Sequence, residues 1–136
     1  TVMGHEVAHA IAKHSAERMS QSIIAQAGGV AVDVATAEKS NTTRAVLNTA
    51  YGLGGQLALL SYSRNQESEA DRLGLVFMAM AGYNPNEAVG FWERMAQANQ
   101  SQGGAPPEFL STHPSDARRI NNIQKLIPEA MGYYKK

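Results

Sequence analysis

The chain has 136 residues, 43% of them hydrophobic, and twelve basic side chains balance twelve acidic ones. This suits one domain with a buried core and excludes a global field that would draw the chain to nucleic acid or to an anionic membrane. Cysteine is absent, which excludes disulfides and thiolate metal ligands, and no apolar run is long enough to predict a transmembrane helix.

In chain order, residues 1–27 are rich in good or tolerable helix formers and predict a first helix, which Gly28-Gly29 would stop. Val30, Val32 and Val34 then alternate with small or polar residues, a pattern that could be a short β element around 30–34. Glu38 to Thr43 reads as a polar loop. A second helix is predicted from Thr43 to Ser61, with Gly52, Gly54 and Gly55 either weakening its middle or marking close packing against a neighbour. A third is predicted from Gln66 to Ala81, ended by Gly82-Tyr83. Asn84-Pro85-Asn86-Glu87 has the grammar of a helix start: Asn as N-cap, Pro at the first position, Glu at the third. The helix that follows carries Val89, Phe91, Trp92 and Met95. Its apolar cluster reads as core, although Trp92 could line a groove. Ser101 to Pro107 reads as an exposed loop, and His113-Pro114-Ser115 opens a last helix with Ile120, Ile123 and Ile127 on one side. The expected fold class is mainly α, in one domain over 1–136.

The chemistry concentrates in His5-Glu6-Val7-Ala8-His9. Two His residues four apart stack on one helix face, one turn apart, and two imidazoles so placed can meet one metal ion. Glu6 is rotated by about 100° from His5, so it is better placed as a general base toward water than as a ligand. A catalytic site of this kind takes a third protein ligand, which without Cys must be His, Asp or Glu. Glu67-Ser68-Glu69-Ala70-Asp71 offers it. Glu67 and Asp71 share a face, which suggests Glu67 as ligand and Asp71 as acceptor for the free ring N–H of a ligand His; Glu69 points elsewhere. An Asp beside Arg72 could equally be surface charge. His14 lies nine residues past His5, about 900° of rotation, and is expected on the opposite side and exposed.

His-Glu-x-x-His followed by Glu-x-x-Ala-Asp resembles peptidase family M48, the HtpX- and BepA-like zinc metallopeptidases. The similarity extends through Tyr62-Ser63-Arg64, Gly82-Tyr83-Asn84-Pro85 and Ser111-Thr112-His113-Pro114, in order and over nearly the whole chain. The resemblance implies a zincin-like helical core binding one Zn2+ ion per chain through His5, His9 and Glu67, with Glu6 as base and Asp71 behind the ligands. It places His113 and Arg119 near the site, with Arg118 as the alternative cation. His113 would either stabilise the oxyanion or coordinate zinc in a resting, self-inhibited form. Arg119 would bind the oxyanion or pair with a nearby acid. For each, the plain alternative is a helix-starting His and a solvated surface cation.

The implied activity is peptide-bond hydrolysis through a metal-activated water, with protein or peptide substrates. By resemblance alone, these include misfolded proteins of a bacterial envelope, in a periplasmic or membrane-associated setting. The competing reading is a chaperone-like or peptide-binding module with a structural or plugged zinc site. The presence of Glu6 favours the enzyme, since a structural site needs no base between its two His. A catalytic helix opening four residues into the chain leads to a further expectation, that an N-terminal part with a strand region has been lost.

Overall fold

The computed structural model describes residues 1–101, 113 and 117–135, and among them every regular element is a helix. The helices are α1 (Val2–Ile11), α2 (His14–Ala35), α3 (Asn41–Met80), α4 (Glu87–Ser101) and α5 (Ala117–Met131). The expected mainly α class holds. Two compact units are built from them, Thr1–Ala12 with Glu67–Lys136, and Lys13–Gln66.

The boundaries depart from the sequence reading in three places. First, the chain breaks at Lys13, which adopts the left-handed conformation with φ 57°. No Gly or Pro signals this break. It resets the helical phase, so the rotation count that put His14 on an exposed face does not apply. His14 is in fact 1% exposed.

Second, Gly28-Gly29 do not stop α2, and the β element considered at 30–34 is helical. Once a helix is nucleated, each further residue adds a hydrogen bond at little cost. The described residues contain no strand that could pair a β segment at 30–34. Gly28 instead makes room for Tyr51 of α3, whose hydroxyl donates to the Ala25 carbonyl at 2.8 Å. The helix ends at Thr36, where Oγ1 donates back to the Val32 carbonyl at 2.7 Å.

Third, the two predicted helices at 43–61 and 66–81 are one helix of 40 residues. Ser40 caps its start, accepting the Thr43 amide at 3.2 Å. A Cβ added at Gly52, Gly54 or Gly55 would meet nothing within 4 Å, so these glycines do not mark close packing. Gly82 ends the helix as expected: it takes φ 82°, its amide reaches the Ala79 carbonyl, and the Tyr83 amide reaches that of Met78.

In the unit of 13–66, α2 pairs with the first part of α3. Asn48 donates to Asp33 at 2.7 Å, and buried Gln66 bridges Arg18 and Glu17 at 2.8 and 2.7 Å. Large apolar side chains on both helices stay exposed, among them Ile23, Val34, Leu53 and Leu57. No described helix is long and apolar enough to cross a membrane.

The other unit has the apolar core. Leu75 of α3, Ala88 and Trp92 of α4, and Ile123, Ile127 and Ala130 of α5 pack together, with Val89, Phe91, Met95 and Ile120 against them. The Asn84 side chain accepts the Asn86 amide at 3.1 Å in the turn that leads into α4, which begins at Glu87, two residues later than Asn84 as N-cap implies. The predicted loop at 101–107 and the Pro114-Ser115 helix start lie outside the described residues, apart from Ser101, which closes α4.

Candidate metal centre

The helical repeat of α1 puts His5 and His9 on one face, and both are buried. Their Nε2 atoms lie 3.0 Å apart. Glu67 of α3 reaches both, with a carboxylate oxygen 3.3 Å from His5 Nε2 and the other 3.2 Å from His9 Nε2. His113 joins them, its Nδ1 2.9 Å from Glu67 and 3.2 Å from His5 Nε2. These four residues each bring a ligand atom within 4.8 Å of the others.

The donor set suits a metal. Donors at 2.0–2.1 Å from a tetrahedral ion are separated by about 3.3 Å, and the His5, His9 and Glu67 atoms already have nearly that spacing. Two borderline imidazoles and one hard carboxylate form a donor set that fits zinc and other first-row ions.

Behind the donors lies an ion pair. Asp71 is one turn along α3 from Glu67, and its Oδ1 is 3.0 Å from His5 Nδ1. An acceptor there keeps a proton on Nδ1, so that the ring in its neutral form turns the Nε2 lone pair toward His9 and Glu67. Arg119 of α5 holds Asp71 at two points, 2.8 Å from Nε and 2.7 Å from Nη2, and donates to the His113 carbonyl at 3.2 Å. Its guanidinium lies 3.8 Å from the centre of the Trp92 ring. Of the two adjacent arginines, Arg119 is buried and Arg118 exposed. Trp92 is 1% exposed and so belongs to the core rather than to a groove.

The electrostatics follow from these contacts. Burial raises the pKa of the Glu67 carboxyl, but hydrogen bonds from His5 and His113 outweigh it and bring it down to about 2. Burial lowers that of His5, but the carboxylates of Asp71 and Glu67 outweigh it and raise it above its ordinary value. Glu6 sits at the edge of the group. Its side chain is 47% exposed, and its carboxylate is 3.5 Å from His113 Nε2. Glu69 is exposed.

Thus His5, Glu6, His9, Glu67, Asp71, His113 and Arg119 come together. The sequence reading did not anticipate that Trp92 backs Arg119, or that Gly4 and Gly74 meet between α1 and α3. The only sequence cue for the glycines is their place, one residue before His5 and seven after Glu67.

The model of peptidase family M48 matches residues 1–127. The chain belongs to peptidase family M48. Among its M48 relatives, it is 39% identical to the mitochondrial metalloendopeptidase OMA1 of Saccharomyces cerevisiae, over 98% of this chain and 37% of that protein. It is 31% identical to the human mitochondrial metalloendopeptidase OMA1, over 96% of this chain and 26% of that one. The beta-barrel assembly-enhancing protease of Yersinia pestis is 28% identical over 96% of this chain and 28% of its own length. The chain therefore spans little more than a third of these relatives at most. No solved structure matches it.

Proposed function

We propose that residues 1–136 are the catalytic domain of a zinc metalloendopeptidase, with His5, His9 and Glu67 as ligands and Glu6 as general base. The observation that carries this is the convergence of three buried or half-buried donors from two helices, with Glu6 beside them at the edge open to solvent. Zinc held there would polarise a peptide carbonyl and acidify a water.

The protein's own groups supply the rest. The Glu6 carboxylate takes a proton from water and delivers it to the leaving amine. Asp71 holds the His5 ring in the tautomer a ligand needs, and Arg119, backed by Trp92, holds Asp71. His113 occupies a fourth position among the donors, so we assign it the resting, self-inhibited role. It would leave the donors as a substrate enters and then be free to steady the developing oxyanion.

Substrates are proteins or peptides. Some relatives are named as mitochondrial and another as beta-barrel assembly-enhancing; the setting we propose from this is membrane-associated, in a bacterial envelope or a mitochondrion, with quality control of envelope proteins as the role.

Elemental analysis of protein purified without added metal tests the ligand set: about one zinc per chain is expected, and none in a His5→Ala variant. Casein cleavage by wild type but not by equally zinc-loaded Glu6→Gln supports the enzyme. If neither cleaves, even with His113→Ala, the chaperone-like or peptide-binding module becomes the better account.

A further inference from the structure

The spacing of the metal donors depends on how closely α1 approaches α3, and that approach has an identifiable cause. A Cβ built on Gly4 would lie 2.6 Å from the Gly74 carbonyl oxygen. A Cβ built on Gly74 would lie 2.8 Å from the His5 amide nitrogen and 3.0 Å from the Gly4 carbonyl carbon. Every one of these neighbours is backbone, so no side chain can rotate away. One turn further on, both helices again carry small residues: Ala8 on α1 and Ala70 on α3, each 0% exposed.

The chemistry is tied to this crossing. His5 follows Gly4 directly. Glu67, Asp71 and Gly74 are four and three residues apart, and so share one face of α3. The face of α3 that carries the carboxylates is thus the face pressed against the α1 backbone.

We propose that Gly4 and Gly74 are positioning residues for the metal centre. They set the helix separation at which His5 Nδ1 reaches Asp71 and the two Nε2 atoms reach Glu67. Ordinary carbon contacts are about 3.5–4.0 Å, so a methyl group at either position would push α1 from α3 by roughly 1 Å. Metal–ligand distances tolerate only about 0.2 Å. The donors cannot make up the difference, because His5 is held by Asp71, and Asp71 by Arg119.

This inference rests on the metal-centre reading above, and its test separates the two. Zinc affinity is measured by competition with a chromophoric chelator, and the visible spectrum is recorded with Co2+ in place of zinc. Gly74→Ala and Gly4→Ala are compared with wild type and with Gly52→Ala, where an added Cβ meets nothing within 4 Å. The expectation is wild-type helical content by circular dichroism, with zinc affinity at least tenfold weaker and altered Co2+ bands in both crossing variants, and affinity within twofold of wild type for Gly52→Ala. Folded crossing variants that bind zinc within twofold of wild type would overturn the proposal. So would failure of both to fold, which would make the contact a general folding requirement. A wild-type protein that binds neither ion would instead overturn the metal-centre reading, and this inference with it.

Discussion

Asp71 and Arg119 form a two-point ion pair inside the protein, with both side chains less than a tenth exposed. Asp71 also faces His5, so one carboxylate serves a cation on one side and a candidate ligand on the other. Asp71→Ala leaves the Arg119 charge buried with its main partner gone. Breaking a buried pair in this way costs about 3–5 kcal/mol. Removing the acceptor behind a ligand His typically weakens metal binding by about 10–100-fold. Urea unfolding of the metal-free variant and a zinc titration check the two effects. A shift under about 1 kcal/mol would show that Asp71 is more solvated than its burial indicates.

Glu67 and His5 give the metal-free protein a defined pH profile. The Glu67 pKa is lowered to about 2 by folding, so its contribution is complete above the ordinary 4.5 and is lost as pH falls toward 2. The His5 pKa is raised by folding, so its contribution is complete below the ordinary 6.5 and is lost as pH rises through the folded value. Melting temperature with chelator present should therefore be highest at mildly acid pH and fall on both sides. Glu67→Gln should flatten the acid side. A wild-type profile that rises steadily from pH 5 to 8 would contradict the His5 assignment.

Glu6 should separate chemistry from structure. Its side chain is nearly half exposed, and among the described residues its carboxylate lies 3.5 Å from His113. Glu6→Gln is expected to keep zinc content and to change stability by less than about 0.5 kcal/mol. Turnover should fall by about 10²–10⁴-fold, the usual worth of a general base. Steady-state cleavage of a quenched fluorescent peptide, beside metal analysis, measures this. His113→Ala in the same assay should raise turnover, as the resting role assigned to His113 requires; a fall in turnover would overturn that assignment.

The α2–α3 pairing offers a test away from the site. Alanine is favoured over glycine within a helix by about 1 kcal/mol. A Cβ at Gly28, however, would collide with the Tyr51 hydroxyl. Gly28→Ala should therefore destabilise the wild-type protein but stabilise a Tyr51→Ala background. Thermal melts of the four proteins complete the cycle. The same sign in both backgrounds would mean that Tyr51 is not seated on Gly28.

Some of this was legible in the residues alone. Spacing of four puts His5 and His9 on one helix face whatever surrounds them, and does the same for Glu67 and Asp71, because the helical repeat is a local property. Gly82 could be read as a helix end and Asn84 as a start, since both act through hydrogen bonds to backbone within a few residues. Other features depended on partners far away in the chain. Gly28 looks like a helix end until Tyr51 is placed on it, and Val30 to Val34 look like a strand until the described residues offer no strand to pair with them. Lys13 breaks the chain with no sequence cue, and so returned His14 to the interior. Tertiary packing brought Glu67 within reach of the His pair, chose Arg119 over Arg118, and put Trp92 behind it. The α1–α3 approach at Gly4 and Gly74 is of the same kind: the sequence specifies what each helix face offers, but only the separation of the two backbones decides whether those faces can hold one ion.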